Sequence, residues 1–358
     1  MEFKKNYGIE LLRIVSMLMV VTHHALIHGN LLNSYDVLSG GGVAFSAIEG
    51  MCQVCVNVFV LITGYYLTDT KFSIIRNVNL WFRVFFFSII CIFCAIIIFK
   101  LNMGSLELLK ALFPISSNEW WFITKYSVLI LCAPFINNFV KRMDKKDLKI
   151  FIICLLICFC LIPTFLPWSR NIFGRGYEFT WMFSLFFIGA YLRDSKVAEL
   201  KSSIAIVCYL ILSIFAGLSR QIIGVVTHFL FGRMIGIDML INYNNIVIAT
   251  ASVVLFVGFK NLCITSKIVK MISNIGKYTL GAYLVSDMAL IREEFWKQFD
   301  FIANPKMAIV VIIGVLFIGC ILDLFRTNIY KLLRINYIEL KIANFIENKI
   351  IKLGELLK

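Results

Sequence analysis

The first apolar stretch of the chain, IELLRIVSMLMVVTHHALI, contains an arginine and a histidine, Arg13 and His24. Ionisable groups at membrane depth are costly and mark functional sites. Eleven positions separate the two. At 3.6 residues per turn they fall on nearly one helix face, roughly 16 Å apart along the axis. Arginine keeps its charge and presents a planar fork of donors suited to phosphate or carboxylate. Neutral histidine accepts a proton near physiological pH. A cation low and a base high on one face of a spanning helix predict chemistry conducted across a membrane.

The elements that must position this pair follow from composition. Of 358 residues, 60% are hydrophobic and 16% charged, with a mean hydropathy of +0.87. A soluble domain of this length would carry far more surface charge. Apolar runs of about twenty residues recur, the length a bilayer core requires of a helix. They are continuous rather than alternating, which argues against strands. The net charge of +14 does not point to nucleic acid, because Lys and Arg gather in short clusters between apolar runs. Of the eleven cysteines, CQVC (Cys52, Cys55) and CIFC (Cys91, Cys94) have the spacing of half a zinc site. Inside spanning helices such pairs lack solvated partners, so packed thiols and no metal are expected. Lysines followed by an apolar run begin the chain as in a signal peptide. HHALIHGN offers no small-residue cleavage site, so a retained first span is expected.

Ten spans are expected, at about 9–28, 43–67, 79–100, 120–140, 150–167, 178–192, 202–219, 241–259, 278–291 and 307–325. The ninth is short and carries Ser286 and Asp287. With the N-terminus inside, the cytoplasmic segments hold 24 of the 35 basic residues, Arg83 included, against nine outside. That bias predicts both termini cytoplasmic. The fold class is an all-α integral membrane protein, a bundle of about 10 transmembrane helices. Residues 1–325 form one membrane domain, and residues 326–358 a basic amphipathic tail expected on the cytoplasmic leaflet. There is no phosphate loop, dinucleotide fingerprint, HExxH or GxSxG. GGG at 40–42 reads as a turn before the second span.

GIELLR followed by ten residues and His24 resembles the opening span of the membrane acyltransferase-3 family. The resemblance continues in order through VNVFVLITGYYLTD (56–69), the basic stretch 71–83, and NEWWFITKYSVLILCAPFIN (118–137) to ISNIGKYTLGAYLV and ILDLFR. Many members carry His after Tyr-Leu in the penultimate span; this chain reads YLVSD, with Ser286 there, so Ser286 or Asp287 must substitute or the role is absent.

The resemblance implies a membrane-bound, acyl-CoA-dependent O-acyltransferase of a bacterial plasma membrane. Its donor would be acyl-CoA, acetyl-CoA by default, and its acceptor a hydroxyl of a cell-surface or lipid-linked glycan. That transfer needs a base and positive charge near the oxyanion or the donor phosphates. His24 is the candidate base or acyl relay and Arg13 the candidate cation, with Arg76 and Arg83 next from the cytoplasmic face. Arg76 reads equally as a positive-inside anchor. Lys125, beside Tyr126, is a further intramembrane cation, while Trp120 and Trp121 read as an interface belt. Glu49 either accepts the second N–H of His24 or pairs with Arg13 or a loop arginine. His23 points about 100° away from His24 and reads as structural. His28, one turn above His24, orients it or the acceptor, or lies at the interface. Asp287 could line a cavity, and Arg170, Arg175 and the outer segment 219–240 (Arg220, His228, Arg233, Asp238) could meet an anionic glycan. The rival class is a membrane transporter or flippase for a glycan or small metabolite. Buried ionisable groups suit it equally, but the paired repeats common in transporters are not visible.

Overall fold

The computed structural model describes residues 6–67 and 71–356. The first basic cluster, 1–5, and the end of the second motif, 68–69, lie outside them. Every regular element among the described residues is a helix. In lipid the backbone must satisfy its own hydrogen bonds, and continuous apolar runs do so as helices.

Asn6 caps α1 (Tyr7–Ile27) by accepting the Ile9 N–H at 3.1 Å, and its amide donates to Lys260 O at 2.8 Å. The second expected span is two helices, α2 (Gly40–Cys52) and α3 (Cys55–Leu67), interrupted at Gln53 and Val54. α4 (Ile75–Phe93) runs on through a π turn to Ile98, and the short α5 (Ser105–Leu112) leads to α6 (Trp121–Arg142). α7 (Lys145–Leu156) passes through a second π turn into α8 (Ile162–Phe165). Then come α9 (Arg170–Phe173), α10 (Phe179–Leu192), α11 (Ser202–Phe231) and α12 (Ile246–Lys260). The last are α13 (Lys267–Ser273), α14 (Leu280–Ser286), α15 (Arg292–Lys297), α16 (Met307–Leu332) and α17 (Ile335–Leu356).

Among the described residues, seven helical stretches are long and apolar enough to cross a membrane, and α10 and α12 are apolar but shorter. The expected ninth span is α14, only seven residues long, and a break at Asp287. The expected outer segment 219–240 is helical as far as Phe231. α11 has 30 residues, about 45 Å, and Gly232 ends it in the left-handed region, its N–H returning to His228 O. The boundary expected at 325 falls inside α16, which continues to Leu332.

α1 occupies the middle of the molecule, packed by α2, α3, α12, α14 and α16. Two glycine crossings tighten this arrangement. A Cβ on Gly281 would stand 2.1 Å from Gly319 O, so α14 and α16 meet backbone to backbone. A Cβ on Gly217 would stand 2.1 Å from Ser46 O, which brings α11 equally close to α2. α17 folds back along α4, where Ala343 packs on Ile74 and Val78.

Candidate active site

Two chambers, of about 410 Å³ and 750 Å³, lie end to end along α1. Met17 of α1, Phe59 of α3, Phe122 of α6 and Leu280 of α14 line both. On each of these four helices the walls change chamber at that residue. Along α1, Arg13 lines the larger chamber, and Val20, His23, His24 and His28 line the smaller. Four apolar side chains therefore form a collar between a basic chamber and a histidine-bearing one. Arg13 and His24 share the helix face expected of them but serve different chambers.

In the smaller chamber His24 is buried, with Nδ1 3.0 Å from Ser286 Oγ. That hydroxyl also lies 3.3 Å from Tyr283 O; where it gives its one proton to that carbonyl, it accepts from the imidazole. In that arrangement the imidazole proton sits on Nδ1, and Nε2 keeps its lone pair. Nε2 lies 3.9 Å from Asp287 Oδ2. Asp287 Oδ1 accepts from Arg292 Nη1 at 3.2 Å and lies 3.7 Å from His28 Nε2. Glu119 fixes the chain after this break: its carbonyl accepts the Ala289 N–H at 3.0 Å and its carboxylate the Leu290 N–H at 3.2 Å. Burial raises the Glu119 pKa, and the Leu290 N–H opposes that rise.

Four expectations are corrected here. Glu49 Oε1 bonds His23 Nδ1 at 2.8 Å rather than His24, because α2 packs on the side of α1 that carries His23. It does not pair with Arg13, which lies 3.8 Å from Glu10. His23 is thus a chamber residue with an acidic partner. Lys125 lines neither chamber; its ammonium donates to Tyr177 O at 2.5 Å and stands over Trp121. The two tryptophans do not form an interface belt: Trp120 is buried, and Trp121 joins Tyr177 and Tyr243 in an aromatic wall of the smaller chamber. Its ring centroids stand 4.8 Å (Trp121–Tyr177), 6.0 Å (Trp121–Tyr243) and 5.0 Å (Tyr177–Tyr243) apart. Asn57, just past the α2–α3 break, holds this wall by donating to Tyr243 O at 2.8 Å.

Of the outer basic residues, Arg220 reaches the smaller chamber, buried and 2.8 Å from Asp238. Arg170 instead donates to Pro163 O and Met239 O, tying two connections together. Arg175, His228 and Arg233 are exposed and line neither chamber.

Arg13, Arg76, Arg83, Lys277 and Arg326 give the larger chamber its charge, with Glu339 of α17 as the carboxylate among its lining residues. Arg83 is the most constrained of them. It donates to Asp323 through Nε at 3.0 Å and Nη2 at 2.7 Å, and Arg326 Nε meets the same carboxylate at 2.8 Å. The sequence reading assigned no role to Asp323 or Arg326. The signal was an acid inside the apolar run of ILDLFR. Tyr177 and Tyr243 gave no such signal, since both lie in irregular connections. Among the described residues no group of three His, Cys, Asp or Glu is placed to hold a metal.

These features define a multi-pass membrane protein with a buried histidine in one chamber and a separate basic chamber. The family model described as an acyltransferase domain matches residues 6–324, and the chain belongs to the acyltransferase-3 family. It is accordingly a membrane acyltransferase. No curated protein and no solved structure matches the chain.

Proposed function

We propose that the chain transfers an acyl group, acetyl by default, from cytoplasmic acyl-CoA to a hydroxyl of a cell-surface or lipid-linked glycan. It does so in a bacterial plasma membrane with both termini inside. The observation that carries this reading is the pair of chambers joined at the Met17, Phe59, Phe122 and Leu280 collar. On this proposal the larger chamber opens to the cytoplasm and takes the donor's phosphates on Arg13, Arg76, Lys277 and Arg326. Arg83 supports that wall through Asp323. The donor's uncharged arm passes the collar and presents its thioester beside His24.

His24 Nε2 then takes the proton of the acceptor hydroxyl as its oxygen attacks the thioester carbonyl. The C–S bond breaks, the CoA thiolate leaves, and the imidazolium returns the proton to it. While charged, the imidazolium is stabilised by Asp287, whose carboxylate lies 3.9 Å away. The test compares membranes holding the wild type with membranes holding His24→Ala at equal protein level. Thiol release from acyl-CoA and label transfer to envelope glycan should both fall, by on the order of 10²–10⁴-fold. If wild type turns over no donor, and envelope acylation persists in cells lacking the gene, the reading fails and transport takes its place.

A further inference from the structure

The smaller chamber contains polar atoms that its own side chains do not satisfy. Glu49 gives Oε1 to His23, and its Oε2 has no hydrogen-bond partner. Asp287 gives Oδ1 to Arg292, and neither its Oδ2 nor the neighbouring Tyr283 hydroxyl has a partner in hydrogen-bond geometry. Glu49 and Asp287 line the chamber and both are only 1% exposed. A buried carboxylate oxygen without a donor is costly, so the site is complete only when something supplies O–H or N–H groups. The aromatic wall of Trp121, Tyr177 and Tyr243 asks for a second property, a flat face of C–H bonds. A pyranose ring offers both, with hydroxyls at its rim and axial C–H groups on its faces.

Charge narrows the choice. The chamber's two guanidiniums each face a carboxylate: Arg220 Nε lies 2.8 Å from Asp238, and Arg292 Nη1 3.2 Å from Asp287. Glu49 adds a third carboxylate, beside His23. The chamber therefore has no surplus cation to pair with an acidic sugar. The unsatisfied Glu49 Oε2 and Asp287 Oδ2 would repel one, while the Tyr283 hydroxyl, Arg220 Nε and Arg292 Nε, which also lack a partner in hydrogen-bond geometry, each stand in a wall whose formal charge is already balanced by carboxylates.

We infer that the smaller chamber is a neutral-pyranose site that excludes carboxylate-bearing sugars. Glu49 and Asp287 each accept a sugar hydroxyl, and Trp121, Tyr177 and Tyr243 stack on the ring. This rests on the acyltransferase reading only in making the ring the acceptor. Binding requires no donor and no turnover, so the inference can fail while the thioester assay succeeds, or hold while that assay fails.

The experiment is saturation-transfer NMR on the full chain in lipid nanodiscs, with methyl glucopyranoside, methyl N-acetylglucosaminide and methyl glucuronide as probes. At least one neutral probe should bind saturably and the glucuronide should not. Tyr177→Leu should weaken the neutral probe roughly fivefold by removing a stacking face. Glu49→Gln keeps an acceptor for His23 and gains an amide donor. It should lower the ratio of neutral to acidic binding, which a merely structural role would not do. No saturable neutral binding, equal binding of the glucuronide, or a ratio unchanged in Glu49→Gln would each overturn the inference.

Discussion

Ser286 decides on which side of the His24 ring the proton resides. Its Oγ, 3.0 Å from Nδ1, turns the free lone pair of Nε2 toward the chamber. Ser286→Ala should leave binding of the thioester unchanged and lower kcat about fivefold, for one hydrogen bond of about 1 kcal/mol. On the proposed mechanism Asp287→Asn removes the charge that stabilises the imidazolium, and kcat should fall on the order of 10²-fold. Steady-state thiol release checks both, and equal loss in the two variants would contradict the separate roles. The sequence singled out this position, because YLVSD departs from the histidine of many family members. It could not assign Ser286 to His24, because that contact spans 262 residues. Spacing correctly placed Arg13 and His24 on one face, but it misdirected Glu49. A period of 3.6 places residues around one helix and is silent on which neighbour covers each side.

At the scale of elements, α4 and α16 are joined by the carboxylate of Asp323, 1% exposed and bonded to both Arg83 and Arg326. Asp323→Asn leaves two guanidiniums side by side in a poorly solvated wall. Breaking such a buried arrangement from one side costs about 3–5 kcal/mol. Thermal unfolding in detergent should show a clear drop in Tm, and a variant as stable as wild type would remove Asp323 from this role. Each of the ten expected apolar runs contains helix, since hydropathy responds to lipid wherever backbone must bond to itself. Breaks were harder to foresee. The interruption at Gln53 and Val54 and the end of α14 at Asp287 depend on distant partners such as Ile241 O and the backbone of Glu119. A window of local sequence contains neither.

At the scale of the whole molecule, α17 encloses the larger chamber with Asn336, Glu339 and Leu340. Composition revealed an amphipathic tail, but the wall it forms depends on α4 lying alongside. A chain ending at residue 334 should retain His24 chemistry and lose donor affinity. The expected change is a several-fold rise in KM for acyl-CoA with kcat nearly constant. Unchanged KM would make α17 a surface attachment alone.

The collar is also an electrical component. A bilayer normally spreads its potential over about 30 Å of hydrocarbon. If the two chambers fill with water and open to opposite faces, as the proposed transfer requires, nearly the whole voltage would fall across the thickness of Met17, Phe59, Phe122 and Leu280. Carrying one charge through would involve about 2.3 kcal/mol per 100 mV, whereas an uncharged thioester crosses without electrical work. Traffic of acyl groups would then be indifferent to how strongly the membrane is energised, and the insulation that protects that energy would be four side chains deep.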